Sequence, residues 1–284
     1  MVDDATRKAK VLIEALPFLK RFHDQFMVVK VGGEAIEKPE VIDALLTDLV
    51  WLEQVGVRPV LVHGGGASIS RAMAAAGLTP RFVGGRRVTD EATMAIMAAE
   101  AEKLNAHLVN RIFDLGGCAV GMCPPRHAPV HGAVMDPALG LVGQPSGIDR
   151  ERVERYATRG LIPVIPPLSV RADGVALNTN ADDIALAVAT GLDAVKLVFM
   201  SSVAGVMTDR NNPSTLISSL TEARVRELVA AGVITDGMIP KVESCLGALR
   251  AGVGKIHIVA AAQPHALLLE IFTNEGVGTE LTLR

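Results

Sequence analysis

The chain has 284 residues, 49% hydrophobic and 21% charged, a globular composition long enough for one large α/β domain or two lobes sharing a sheet. A formal net charge of −3 excludes the basic face that a nucleic-acid partner requires, so any functional Lys or Arg is expected to act locally on a small anion. With one Trp, one Tyr and seven Phe, the core must come from Val, Leu, Ile, Ala and Met, which suits strands buried on both faces. Cys118, Cys123 and Cys245 form no CxxC pair and read as reduced thiols, each a small core residue. The opening Met1-Val2-Asp3-Asp4 lacks the features of a signal peptide, and no apolar run reaches the roughly 18 residues of a membrane span. A cytoplasmic protein without membrane association is expected.

In chain order, the first pattern is a helical stripe of Ala9, Leu12, Ile13, Leu16 and Leu19, with Arg7, Lys8, Glu14 and Lys20 facing elsewhere. Pro17 removes the hydrogen bond to residue 13 and should kink this helix. The stripe packs either on its own domain or, as an arm, against another subunit. Short apolar runs then alternate with helical patterns. Strand 26–31 precedes helix 41–55; strand 58–63 precedes helices 67–76 and 90–115. Strand 119–122, helix 150–159, strand 161–165 and helix 181–190 follow. Strand 195–200, helices 222–231 and 240–251, and strand 255–259 complete the series. Such alternation predicts an α/β three-layer sandwich with an open, mainly parallel central sheet. The polar stretch 208–218 reads as a surface loop.

Two glycine clusters follow predicted strands: Gly32-Gly33 after residues 26–31, and Gly64-Gly65-Gly66 after residues 58–63. Strand ends that release bare backbone N–H groups at a helix start suit phosphate or carboxylate. Neither cluster matches GxxxxGK[ST] or GxGxxG. Lys30 lies in an otherwise apolar strand, so it must reach a sheet edge or meet an anion. Asn178-Thr179-Asn180-Ala181-Asp182-Asp183 precedes an apolar helix; Asn180 or Asp182 serves as N-cap, and the remaining polar groups could bind substrate. Pro240 suits a first helical position, which puts Lys241 in the first turn, opposed to the helix dipole and in want of an anionic partner. His127 and His131 sit among Pro124, Pro125 and Pro129 with no completing ligand, so no metal site is expected there.

Five motifs in order carry a resemblance: Lys30-Val31-Gly32-Gly33, His63-Gly64-Gly65-Gly66, Arg87-Val88-Thr89-Asp90, Asn178-Thr179-Asn180-Ala181-Asp182 and Gly237-Met238-Ile239-Pro240-Lys241. Together they resemble the acetylglutamate kinases of the amino acid kinase family, from about residue 6 to residue 282. The resemblance implies an N-terminal arm over 1–24, an amino-acid lobe over 25–177 and an ATP lobe over 178–284. It implies that Lys30 and Lys241 stabilise the transferring phosphoryl group while Asp182 holds them in place. Gly32, Gly33 and Gly64 would meet phosphate. Gly65, Gly66, Arg87 and Asn178 would bind N-acetyl-L-glutamate. Ser202, Val203, Gly205, Met207, Val233 and Thr235 would bind ATP, which comes with Mg²⁺.

The ends resemble the arginine-inhibited hexameric branch, through Glu14-Ala15-Leu16-Pro17-Phe18 and Glu270-Ile271-Phe272-Thr273-Asn274-Glu275-Gly276-Val277-Gly278-Thr279. By that resemblance His257, Glu270 and Gly276 would line an L-arginine site, and the arm would interlace dimers into a hexamer. The chain departs from the pattern at Ser202, at Gly84-Gly85-Arg86 where Asn-Gly-Leu is usual, and at Ala260-Ala261-Ala262. Two alternatives stay open. One is a kinase for another N-blocked acidic amino acid, admitted by the room at Gly84 and Gly85; the other is a non-catalytic arginine or nucleotide sensor.

Overall fold

All six expected strands and all seven expected helices after the arm form where the apolar periodicity places them, within a few residues. The computed structural model describes residues 2–209, 212–235, 238–273 and 276–284. From the N-terminus run α1 (Val2–Phe22), β1 (Phe26–Val31), α2 (Pro39–Gln54), β2 (Arg58–His63) and α3 (Gly66–Ala75). A hairpin of β3 (Phe82–Val83) and β4 (Arg86–Arg87) leads to α4 (Glu91–Asp114) and β5 (Ala119–Gly121). Next come β6 (Val130–Val134), β7 (Val142–Ile148), α5 (Arg150–Ala157), β8 (Ile162–Ile165), β9 (Leu168–Val170) and β10 (Ala176–Thr179). The remainder is α6 (Ala181–Gly191), β11 (Lys196–Ser201), β12 (Ser219–Thr221), α7 (Glu222–Ala230), α8 (Met238–Arg250), β13 (Lys255–Ala260), α9 (Ala266–Phe272) and β14 (Thr279–Thr282).

Eight strands make one sheet in the order β12-β14-β13-β11-β1-β2-β8-β5, parallel except where β14 meets β13. The strand period of two sorts the core into two faces. Phe26, Val28, Val60, Val62, Leu197 and Phe199 pack under α6 and α8 through Ile184, Val188, Val242 and Leu246. Met27, Val29, Val31, Leu61, Val198 and Met200 pack under α2, α4 and α9 through Leu46, Leu49, Ile112 and Leu267. Helices on both faces make the expected three layers. Asp90, Asp149, Asn180 and Thr221 cap α4, α5, α6 and α7, each accepting from a backbone N–H of the first turn.

A second structure escapes the periodicity. β10, β7, β6 and β9 close into a small barrel beside the sheet. Its interior is too tight for side chains at two points: a Cβ on Gly132 would lie 2.2 Å from Ser169 Oγ, and one on Gly143 would lie 2.7 Å from Thr179 Oγ1. Ser169 and Thr179 satisfy each other there at 2.7 Å. Asn178 stands on β10 of this barrel, paired with Val142 and Leu168.

Expectations change at Pro17, at Cys118 and at Pro240. The apolar stripe of α1 does not pack on its own domain: Leu12 and Ile13 are 69% and 68% exposed, and Leu16 is exposed too. Among its described side chains the last turns dock, where Phe18 and Phe22 meet Phe272 edge-on. The helix runs through Pro17 without interruption. Cysteine placement also differs, since Cys245 is buried as expected but Cys118 is exposed. Helix α8 begins at Met238, which makes Pro240 its third residue.

Candidate active site

β1 is paired on both sides, with β11 and β2, so Lys30 has no sheet edge to reach. Alternation after Phe26 and Val28 turns it toward α6 and α8, in register with Phe199. Its Nζ lies 2.8 Å from Asp182 Oδ1. Asp182 stands in the first turn of α6, where Asn180 caps the helix by accepting from the Asp182 N–H at 2.8 Å. Lys241 arrives from the first turn of α8, with Nζ 3.6 Å from Asp182 Oδ2 and 5.0 Å from the Phe199 ring centroid. The anion that a lysine at a helix start requires is therefore Asp182. Burial pushes the Asp182 carboxyl upward, but Lys30 and Lys241 together outweigh burial and hold it below the ordinary carboxylate range. Gly237, expected beside Lys241, lies outside the described residues.

The glycine loops meet at the ends of β1 and β2. Gly64 N–H donates to Val31 O at 2.8 Å. A Cβ on Gly64 would sit 3.3 Å from Gly32 Cα, and one on Gly32 would sit 2.9 Å from Lys30 Nζ. Gly32 is extended, so its requirement is space beside the lysine and not a special backbone angle. Gly33 opens the 3₁₀ turn Gly33–Glu37, and Gly65 precedes α3. Below the loop, buried His63 pairs through Nδ1 with Gly64 O at 2.8 Å and through Nε2 with the Asn105 amide at 3.1 Å. Burial lowers the His63 pKa to about 4, so the ring is neutral at pH 7. An amide N–H₂ can only donate, so Nε2 accepts and Nδ1–H donates to Gly64 O. Asn105 also donates to Val164 O at 2.9 Å, tying loop, helix and sheet together.

A cleft of about 290 Å³ opens above these groups, lined by Lys30, Gly32, residues 64–66, Arg86, Arg87 and residues 178–181. Arg87 is buried, its Nη2 donating to Ser70 Oγ at 2.8 Å and its guanidinium stacked 4.8 Å from the Phe82 ring centroid. Among the described residues no carboxylate pairs with it, and burial lowers its pKa. Asn178 donates to Thr89 Oγ1 at 2.9 Å. Arg86 of β4 pairs with Asp183 in the first turn of α6 at 2.8 Å. Lys30, Arg86 and Arg87 line the cleft, and Lys241, Asp182 and Asp183 lie beside them as ion-pair partners: four cations to two carboxylates, a surplus of two positive charges.

The residues expected at the nucleotide lie on two segments. Ser202, Val203, Gly205 and Met207 follow β11, and Val233 and Thr235 lie between α7 and α8. Gly205 has a packing reason of its own, since a Cβ there would fall 2.2 Å from Thr279 Oγ1.

A separate cavity of about 500 Å³ occupies the opposite face of the sheet, between the end of α1, β11, β13 and α9. It unites His257, Glu270 and Gly276. His257 Nδ1 lies 2.6 Å from Glu270 Oε1, and Lys196 Nζ lies 2.8 Å from His257 Nε2. Glu270 Oε2 accepts from the N–H groups of Val277 and Gly278. Burial pushes Glu270 upward, but His257 and these backbone donors outweigh it and lower its pKa. Asn274 and Glu275 lie outside the described residues.

Sequence reasoning passed over Lys196 in this cavity, although a lysine inside an apolar strand is the signal it used for Lys30. Burial, the largest influence, lowers the Lys196 pKa to about 8. The unfolded chain holds this proton up to about pH 10.4, so over that window the unfolded state binds more protons and stability rises with pH. From pH 8 to 10 wild type is expected to gain on the order of 1–2 kcal/mol relative to Lys196→Met. Paired urea titrations at several pH values check this; parallel curves contradict it.

A model described as the amino acid kinase family matches residues 25–260. The chain belongs to that family. Its near-full-length relatives include the acetylglutamate kinase of Moorella thermoacetica, 41% identical over 96% of this chain and 96% of that one. The acetylglutamate kinase of Methanococcus vannielii is 39% identical, covering 97% and 98%. Among solved structures, the N-acetylglutamate synthase of Neisseria gonorrhoeae complexed with coenzyme A and N-acetyl-glutamate superposes with TM-score 0.85 at 25% identity. That match covers 96% of this chain, which spans 63% of the synthase. T. acidophilum isopentenyl phosphate kinase shares the fold at TM-score 0.59 and 18% identity, covering 90% and 99%.

Proposed function

We propose that the chain transfers the terminal phosphoryl group of ATP to the side-chain carboxylate of N-acetyl-L-glutamate, the second step of arginine biosynthesis. The surplus of two positive charges around the cleft carries this reading, because it matches a substrate with two carboxylates. A side-chain carboxylate with a pKa near 4.3 is already ionised at pH 7 and needs no general base. The reaction instead needs in-line positioning and positive charge on the phosphoryl oxygens. Lys30 and Lys241 supply the charge, Asp182 positions both lysines, and Gly32, Gly33 and Gly64 offer a backbone lining for phosphate. Gly65, Gly66, Arg87 and Asn178 hold the amino acid in the 25–177 lobe. The 178–284 lobe takes the nucleotide along Ser202, Val203, Gly205, Met207, Val233 and Thr235. Both Asp182 oxygens already face lysines, and in this reading Mg²⁺ comes with ATP. A coupled ADP-release assay with acetylglutamate, glutamate and aspartate in competition tests the reading, and turnover of either rival alone rejects it.

Arg87→Lys is expected to raise KM for the amino acid about 10–100-fold with kcat little changed, since one ammonium cannot replace a fork on a carboxylate. A rise in KM for ATP alone would place Arg87 in the wrong lobe. The open space beside Gly84 and Gly85 favours one second reading, a bulkier N-blocked acidic amino acid, which a longer N-acylated acidic amino acid added to the same competition detects.

Regulation is part of the proposal. The cavity at Lys196, His257 and Glu270 joins cations to carboxylates as a zwitterion requires, and L-arginine fits it as inhibitor: Oε1 of Glu270 keeps a lone pair for a guanidinium, and Lys196 faces a carboxylate. The exposed apolar stripe of α1 favours an arm that docks on another subunit and builds a hexamer. Removing residues 1–24 is expected to give a catalytically active dimer that ignores arginine. Light scattering that shows a full-length dimer rejects the hexamer, and full activity in millimolar arginine rejects the inhibitor.

A further inference from the structure

The loop assigned above to the nucleotide leaves β11 with little regular pairing. Ser202 and Val203 are exposed, while Gly205 and Val206 are buried. The chain then runs antiparallel to a later part of itself: Met207 bridges Leu216, and Thr208 N–H donates to Thr215 O at 3.2 Å. Val206 and Ile217 are the next opposed pair. Opposed residues of this type exchange two N–H to O=C bonds. Here only one of the two is direct, from Ile217 N–H to Val206 O at 2.9 Å.

The other bond runs through a side chain. Val206 N–H donates to Thr279 Oγ1 at 2.9 Å, and that hydroxyl donates to Ile217 O at 2.7 Å. A hydroxyl has one proton to give and lone pairs to receive, so the relay uses both capacities. It also keeps the two backbones one hydroxyl apart on that side. Gly205 passes against the same oxygen, where a Cβ would strike it. Thr279 is itself well fixed. It is buried at the start of β14, opposite Ile258, and the N–H groups of Val277 and Gly278 just before it are held by Glu270 Oε2. The Val206 side chain packs in the core and sets the depth of the loop, while the relay sets the direction of its backbone.

We propose that Thr279 is a positioning residue for the nucleotide: its hydroxyl sets the path of residues 202–207 and so presents this loop to ATP. It acts through the loop and touches no substrate. The inference rests on the assignment of Ser202, Val203, Gly205 and Met207 to ATP in the reading above. A side chain of the same shape without the hydroxyl leaves Val206 N–H and Ile217 O facing a methyl group, and the loop must shift for either to find a partner.

Calorimetry with ADP and steady-state kinetics on the full-length protein test the assignment with Thr279→Val and Thr279→Ser. Thr279→Val is expected to weaken ADP binding and raise KM for ATP about 5–30-fold, with KM for N-acetyl-L-glutamate unchanged within about twofold. Thr279→Ser keeps the relay and is expected to stay within about twofold of wild type in both measurements. Should Thr279→Val fail to fold, Thr279→Cys is read instead; a thiol is a weak donor and a weak acceptor, and a rise of at least about threefold in KM for ATP is expected. Three results overturn the proposal. The first is unchanged ADP affinity and KM for ATP in the variant without the hydroxyl. The second is an equal rise in both KM values, which would make Thr279 a general strut. The third is a loss in Thr279→Ser as large as in Thr279→Val, which would assign the effect to packing of the methyl group. If wild type binds no ADP, the nucleotide reading falls and takes this one with it. If wild type binds ADP and Thr279→Val matches it, only Thr279 is reassigned.

Discussion

Replacing Lys30 or Lys241 with Met is expected to lower kcat about 10²–10³-fold, roughly 2.7–4 kcal/mol, by analogy with loss of one oxyanion donor. Met keeps most of the aliphatic stem and removes only the charge, so the variant isolates electrostatics from packing. Each lysine reaches Asp182 from a different element, Lys30 from the sheet and Lys241 from α8. Loss of either leaves Asp182 with one cation, so no buried charge is stranded and folding should survive. The two replacements should also differ in their side effects. Lys241 lies over Phe199, a contact that a Met side chain can keep as packing. Lys30 sits beside Gly32, and its shorter replacement opens space where the glycine now fits tightly. KM for both substrates should move less than kcat, because charge on the phosphoryl oxygens is greatest in the transition state. Near-normal turnover in Lys241→Met removes it from the mechanism.

Much of this arrangement could be read from the sequence, and the reason is periodicity. Six strands with strong apolar character declared themselves, and a lysine among Phe26, Met27, Val28 and Val29 demanded an anion. The placement of Lys241 at a helix start made the same demand, and one carboxylate, Asp182, answers both. The barrel was not legible. Its strands contain His131, Gly132, Pro145 and Gly147, residues that strand propensity discounts, and they are held by closure and by the Ser169–Thr179 bond. Helix α9 was missed because the residue before it, His265, lies in the left-handed region and makes no side-chain cap bond, so the usual start signal is absent. The Arg86–Asp183 pair spans 97 positions, and neither residue breaks a local rule. Asn105 was invisible for the same reason, being one polar residue on a helix until the fold sets it against His63.

Alternation also explains how one sheet serves two chemically distinct cavities. Within β11, Phe199 turns to the face that carries Lys30 and Lys241, while Lys196 turns to the face that carries His257 and Glu270. β13 repeats this, with Ile256 and Ile258 on the first face and His257 on the second. Ligand in one cavity therefore bears on the strands that form the floor of the other. It can bias the far side only if its affinity differs between two arrangements of those strands.

In the proposed mechanism Asp182 acts only by positioning the two lysines, and Asp182→Asn is still expected to lower kcat on the order of 10²-fold. The amide keeps the size and loses the charge, so two ammonium groups are left close together with nothing to balance them. Lys30 and Lys241 would separate, and the charge they present would no longer converge on one phosphoryl group. A group that works through the lysines, as proposed for Asp182, should not add its loss to theirs. The double variant Asp182→Asn with Lys30→Met should fall well short of the product of the single effects, as for groups acting as a unit. The pH profile offers a second reading. The lowered pKa of Asp182 keeps it ionised well below pH 5, so the arrangement is fully present above the ordinary carboxylate range near 3.9 and lost only as pH falls through the lower folded value. Wild type should then show no loss of kcat from Asp182 between pH 8 and pH 5, and the Asn variant should be reduced by a constant factor across that range. Full additivity of the double variant, or an acid limb in wild type above pH 5 that disappears in Asp182→Asn, would show that Asp182 takes or gives a proton during the reaction.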